Sequence, residues 1–244
     1  MEKLIGLLPA AGLATRMRPF MYPKELLPVH FKQTNDIIRP KLLIEYALES
    51  FAKAGAEEVF IIVPDWKPEI MRYLGNGENF DHNIAYIYNS KARGLADALM
   101  TGYPWMKDQL TLFAMPDTVF SPGNAFRDLI SKLTADSADL VLGVFPTNEA
   151  KHLAPVEFDK AGRVIQIWEK PNDPKYNNAW GIAVWRPSFW AYFRSKFAGL
   201  DVGISITEVF NTAASEGLKV YCVYFSEGWF KDVGQINNLP AISI

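Results

Sequence analysis

The sequence predicts an open α/β fold in three layers, a central sheet with helices on both faces. Two observations carry that prediction. Short, almost wholly apolar runs such as "KLIGLLP", "EVFIIV", "TLFAMPD" and "DLVLGVF" recur along the chain, as strands covered on both faces do. Between them lie stretches with apolar residues at helical spacing, of which "KLLIEYALESFAKAG" is the clearest, closed by Gly55 in the position that terminates helices.

Taken in order, the alternation continues with "IAYIY" as a strand and "GLADALMTGYPWM" as a helix with Pro104 near its end. "TLFAMPD" ends in Asp117, "NAFRDLISKLTAD" reads as a helix, and "DLVLGVF" as the next strand. The second half is richer in strands: "PVEFD", "RVIQIWEK" and "AWGIAVW" follow closely, with "DKAG" as a turn. Helices are expected at "PSFWAYFRSKF" and "SITEVFNTAASEG", then a strand at "KVYCVYF" before "EGWFKDVG". No repeat, low-complexity tract or linker divides the chain, so residues 1–244 are expected to form one domain. In open α/β sheets ligands bind beyond the carboxyl ends of the strands, and both the turn at 7–19 and Asp117 belong to such ends.

Bulk properties narrow the function. A chain of 244 residues can bury a full core. A net charge of −2 without blocks of like charge argues against a nucleic-acid or membrane-surface binder, which needs a basic field. The single cysteine, Cys222, excludes a disulfide within the chain and reads as a buried strand residue, while His30, His82 and His152 lack metal spacing. No apolar stretch reaches the roughly 18 residues of a membrane span, and the N-terminal run reads as strand plus loop, so a cytoplasmic location is expected.

Individual residues could carry chemistry. In "LLPAAGLATRMRP", small residues would let backbone N–H groups approach an anion, and Arg16 could grip phosphate oxygens with its planar fork; alone, the stretch reads first as a strand-to-helix corner. It matches neither the P-loop nor the dinucleotide fingerprint, which ranks a nicotinamide oxidoreductase low. Lys24 follows Pro23 and precedes an apolar run. Asp117, at a strand end, could hold a divalent metal or cap a helix, and Asp232 in "FKDVG" could share that metal or serve a turn. Glu169 and Lys170 are neighbours at a strand end, pointing to opposite faces unless the strand bends.

The order and approximate spacing of "LLPAAGLATRMRP", "YPKELLPV", "GLADA", "MPD", "VEFD", "EKP" and "WFKDVG" resemble the sugar-1-phosphate nucleotidyltransferases over nearly the whole chain. The N-terminal signature is similar to that of bacterial UDP-glucose pyrophosphorylases and glucose-1-phosphate thymidylyltransferases. The resemblance implies a Rossmann-like α/β/α domain with a mixed, mostly parallel sheet, a nucleotide-binding half over about 1–135 and a strand-rich, sugar-phosphate-binding half over about 136–244. It implies that an NTP, UTP or dTTP, and a sugar 1-phosphate give an NDP-sugar and pyrophosphate by Mg2+-assisted in-line attack, with positioning and charge stabilisation as the main work. Carried over by position, Ala10, Ala11, Gly12, Thr15 and Arg16 would surround the triphosphate and Lys24 would stabilise charge at the reacting phosphates. Asp117 and Asp232 would hold the metal. Asn89 and Gly94 would lie against the base, Glu169 and Gly181 against the sugar, and Lys170 on the sugar phosphate.

The chain also departs from the family pattern. Ala14 replaces a glycine, which costs roughly 1 kcal/mol if that position needs positive φ. The segment between Pro19 and Pro23 is short, Leu153 and Ala154 stand where Tyr-Gly is usual, and Asn89 replaces a longer glutamine. These departures motivate an alternative, a non-catalytic nucleotide-binding relative.

Overall fold

The computed structural model describes residues 3–12, 22–34, 37–90, 93–197 and 204–233. A seven-stranded sheet runs through its centre. It is built from β1 (Leu4–Pro9), β4 (Glu58–Val63), β5 (Asn83–Tyr88), β6 (Leu110–Ala114), β8 (Leu140–Pro146), β11 (Asn178–Trp185) and β12 (Val220–Tyr224), in the order β12-β8-β11-β6-β1-β4-β5. Every pairing is parallel except those of β11, which runs antiparallel to both β6 and β8. The mixed, mostly parallel sheet is therefore as expected.

Helices cover both faces because the strands are apolar on both. On one face α1 (Leu43–Ala54), α2 (Pro68–Leu74) and α4 (Ala125–Ala135) bring Phe51, Ile70, Phe126 and Leu129 onto Leu8, Leu112 and Ile182. On the other, α3 (Leu95–Met106), α5 (Pro187–Phe197) and α6 (Ile206–Ser215) bring Leu99, Trp190, Phe193 and Phe210 onto Ile5, Leu7 and Phe113. Neighbouring residues of β1 thus point into opposite cores, the period-two pattern of a strand. Pro104 lies inside α3. Cys222 is buried in β12, and burial pushes its thiol up to about 12, which leaves it unreactive.

Three small ladders stand outside the main sheet. The hairpin of β2 (Pro28–Thr34) and β3 (Ile37–Leu42) is absent from the sequence reading; among the described residues it pairs only with itself, and it exposes Phe31 and Ile38, so no buried face sets a pattern to read. β9 (Val156–Phe158) pairs with β10 (Val164–Ile167). The third ladder joins β7 (Thr118–Ser121) to β13 (Trp229–Asp232) antiparallel, with Asp232 opposite Thr118. That pairing crosses the greatest sequence distance in the fold, and it builds the site.

Candidate active site

A cavity of about 380 Å³ opens at the carboxyl edge of the sheet. Its wall contains seven of the residues given a site role from sequence, Lys24, Gly94, Asp117, Glu169, Lys170, Gly181 and Asp232, together with Leu153 and Ala154, where the chain departs from the family pattern. Such an edge is where open α/β sheets bind ligands.

The carboxylates meet because β13 lies against β7. The Val233 N–H donates to the Asp117 carbonyl at 3.0 Å, just beyond the register pair of Asp232 and Thr118. Lys24 sits on a short 3-10 turn, 24–26, whose Leu26 and Leu27 N–H groups bond Pro23 and Lys24 carbonyls. Its ammonium donates to Asp117 Oδ2. Burial works to lower the Lys24 pKa, but the fields of Asp117, Glu25 and Asp232 outweigh it and hold the ammonium above its ordinary range. Lys24 is therefore a fixed positive charge at any physiological pH.

The charged pair at 169–170 reaches the same wall through a bend. β10 stops at Ile167, and Lys170 adopts a φ of 46° in the left-handed region, with its N–H on the Leu153 carbonyl at 2.9 Å. The strand alternation that would have sent the two side chains to opposite faces ends before it reaches them.

Gly181 acts through what it lets in. A Cβ there would lie 2.3 Å from the Phe230 ring, so the glycine admits Phe230 and with it the strand that carries Asp232. Gly94, with φ at 113°, precedes α3 and turns the helix N-terminus toward the cavity.

Other expected residues lie elsewhere. Asn89 is buried outside the cavity wall, its amide donating to Thr101 Oγ1 at 2.9 Å. The Ala10 N–H bonds the Ile62 carbonyl at 2.8 Å, so that donor holds the sheet rather than a ligand. Ala11 is buried, while Gly12 has open space beside it, and neither belongs to the cavity wall. Thr15, Arg16 and Ala14 lie outside the described residues.

Further residues complete the wall. Trp180 is fixed by its indole N–H, 3.3 Å from Thr207 Oγ1, and by edge-on contact with Phe210. Ser205, which caps α6 by accepting from the Glu208 N–H at 3.0 Å, and His152 also line the cavity. Trp180 opens the tryptophan-rich stretch "WGIAVWRPSFWAYF", which from sequence reads first as aromatic core, with a dimer face or sugar-pocket lining as alternatives, and Ser205 opens the expected helix "SITEVFNTAASEG" without any site signal.

Two carboxylates on one cavity wall, with Lys24 on Asp117 and Lys170 on the same wall, suit a divalent cation and phosphate groups. Magnesium is commonly held by one or two carboxylates together with substrate phosphates and water. The Lys24 ammonium already on Asp117 shows that this oxygen attracts a cation. Among the described residues no group of three or more His, Cys, Asp or Glu could enclose a metal without substrate.

Fold and cavity together define an open α/β protein with a cavity at the carboxyl edge of its sheet, walled by Lys24, Asp117, Glu169, Lys170 and Asp232 among others. The chain belongs to the nucleotidyl transferase family, whose model matches residues 5–243. It is 25% identical over 234 residues to the low-salt glycan biosynthesis nucleotidyltransferase of Haloferax volcanii, covering 94% of this chain and 62% of that protein. It is 26% identical over 239 residues to the glucose-1-phosphate thymidylyltransferase of Streptomyces antibioticus, covering 96% and 64%. The chain thus spans a little under two thirds of the length of these relatives. Its fold matches, with a TM-score of 0.84 and 21% identity over 97% of this chain and 92% of the other, a Bacillus anthracis protein provisionally described as a glucose-1-phosphate thymidylyltransferase and crystallised with a sucrose. No helix among the described residues is long and apolar enough to cross a membrane.

Proposed function

We propose that this chain is a sugar-1-phosphate nucleotidyltransferase that joins UTP or dTTP to a sugar 1-phosphate, releasing pyrophosphate and an NDP-sugar. The observation that carries this reading is the convergence of Asp117, Asp232 and Lys24 with Glu169 and Lys170 on one cavity. The first three suit a triphosphate and its cation; the other two suit a phosphorylated sugar. The preference for dTTP draws support from the relatives named as thymidylyltransferases.

In this reading residues 1–135 supply the nucleotide side and residues 136–244 the sugar side, within one domain. Lys170 holds the phosphate of the sugar 1-phosphate, and Glu169 accepts hydrogen bonds from sugar hydroxyls. Lys24 faces the reacting phosphates, and its permanent charge offsets the negative charge that builds as the sugar phosphate oxygen attacks the α-phosphorus. Thr15 and Arg16, with the Gly12 backbone, grip the β- and γ-phosphates that depart as pyrophosphate. Asp117 and Asp232 would hold Mg2+, which supplies charge neutralisation at the α-phosphate when bound. Gly94 gives the base room to lie on the start of α3, and Asn89 braces that surface from behind. A cytoplasmic location follows from the same reading, because the nucleoside triphosphate is a co-substrate.

The test is a matrix of NTPs against sugar 1-phosphates, read by pyrophosphate release with and without Mg2+. Turnover confined to UTP or dTTP with a hexose 1-phosphate is expected. NTP binding without turnover in any pair would favour the non-catalytic relative instead.

A further inference from the structure

Lys67 has no place in the chemistry so far, yet it is among the most buried charges in the molecule, 4% exposed. It stands in the loop between β4 and α2. Its ammonium donates to the Ala10 carbonyl at 2.9 Å and to Glu25 Oε1 at 2.7 Å. Glu25 is 1% exposed and immediately follows Lys24. Among the described residues its second oxygen, Oε2, has no hydrogen-bond partner. One ammonium therefore ties together three separate segments: the end of β1, the turn that carries Lys24, and the exit of β4.

Stability does not explain such a pair. Removing two charges from water costs several kcal/mol per ion, and well-packed apolar side chains in their place are often neutral or better. Here the unbonded Oε2 raises that cost further. What apolar residues cannot do is fix three backbone segments by directional bonds. The Ala10 carbonyl sits where β1 leaves the sheet for the 12–19 stretch, and Glu25 is rigidly one residue from the cation that meets Asp117.

We infer that Lys67 and Glu25 are positioning residues, a buried clamp that sets the turn of Lys24 and the exit of β1 at a fixed separation matched to the triphosphate. The inference rests on the proposed nucleotidyltransferase reading for its purpose, but the clamp itself can be tested without substrate. Neither residue touches the reacting atoms; both act through Lys24 and the backbone after Ala10.

The experiment compares the wild type with Lys67→Met and with Glu25→Met/Lys67→Met. Amide exchange is followed at Leu26 and Leu27, whose N–H groups close the Lys24 turn, together with melting temperature, kcat and both KM values. In the double variant the clamp predicts melting no lower than in Lys67→Met, because no lone buried carboxylate is left. It predicts exchange at Leu26 and Leu27 faster by about tenfold or more. It also predicts kcat lower by about tenfold to a hundredfold, with the KM for sugar 1-phosphate within about twofold. A pair that serves packing alone would leave exchange and kcat unchanged in a double variant of normal melting temperature, and that result overturns the clamp. If the double variant does not fold, Lys67→Met decides by the same exchange readout. A wild type without turnover on any substrate pair would overturn the nucleotidyltransferase reading, while exchange alone would still decide the clamp.

Discussion

Glu45 on α1 and Asp117 beside β7 are both carboxylates with almost no exposed surface, and their surroundings differ in kind. Glu45 is saturated. Arg39 donates to both of its oxygens, at 2.8 and 2.9 Å, Tyr73 at 2.7 Å and the Leu42 N–H at 3.1 Å, and Lys32 pairs with it at 2.7 Å. Burial alone would raise its pKa, but the bonds from Arg39, Lys32, Tyr73 and Leu42 outweigh that and lower it to about 2. Asp117 has one such partner among the described residues, Lys24, and faces a cavity. A carboxylate offers roughly four acceptor positions. Those of Glu45 are filled by the protein, which pins the β2–β3 hairpin to α1; among the described residues only Lys24 takes one of those of Asp117. Saturation marks scaffolding, and an unfilled shell at a cavity wall marks a site.

The largest expected effect tests that distinction at Asp117. Asp117→Asn and Asp232→Asn should each lower kcat by about two to three orders of magnitude, with circular dichroism and melting close to wild type. Lys24 keeps Glu25 and Asp232 as counter-charges in the first variant, so it is not stranded. Wild-type turnover in either variant would remove that carboxylate from the cation site. Lys24→Gln should come next, lowering kcat by about a hundredfold. Its neutral amide can still bond Asp117 but cannot offset charge at the reacting phosphates.

How far this contrast was legible in the sequence depends on the residue. Asp117 could be singled out because it ends an apolar run and Asp232 because it stands between aromatic and apolar residues, and the family order joined them; their meeting on one wall depends on the β7–β13 ladder, which local periodicity does not encode. Glu169 and Lys170 were named, but the bend that brings them to one wall lies in a single left-handed residue, an unusual conformation for lysine. Lys67 in "DWKPE" and Glu25 in "PKELL" look like solvated charges, since nothing in neighbouring residues reports that a lysine 42 positions away will be buried with its partner. The strands of the main sheet were readable because most of them are buried on both faces and apolar along their length, whereas α2, only seven residues long between β4 and β5, left no helical pattern to read.

The converse variant, Glu45→Gln, should spare the chemistry and cost stability. The folded-state pKa of Glu45 lies below its ordinary 4.5, so its contribution is complete above pH 4.5 and is lost as the pH falls toward 2. The shift corresponds to roughly 3 kcal/mol. Urea unfolding should show the wild type ahead of Glu45→Gln by about that margin at pH 7, with the gap down to about half by pH 3 and nearly closed by about pH 2, and kcat at pH 7 within about twofold. A gap independent of pH would mean that shape, not charge, ties Glu45 to its donors.

Gly181→Ala should lower kcat least among the cavity variants, and it probes how scaffold and site are joined. The new Cβ would fall 2.3 Å from the Phe230 ring, so Phe230 must yield. That ring also stacks on Phe145 with centroids 6.0 Å apart, which limits retreat into the core. The remaining freedom is a displacement of β13, whose last residue is Asp232. Overpacking of this kind costs about 1 to 3 kcal/mol in stability, and a displaced carboxylate should lower kcat by about tenfold. The informative measurement is the Mg2+ dependence of the rate. If Asp232 shares a cation with Asp117, the Mg2+ concentration for half-maximal rate should rise in Gly181→Ala while the KM for sugar 1-phosphate stays within about twofold. A rise in the sugar KM with unchanged Mg2+ dependence would instead make Gly181 a wall of the sugar pocket, independent of the carboxylate pair.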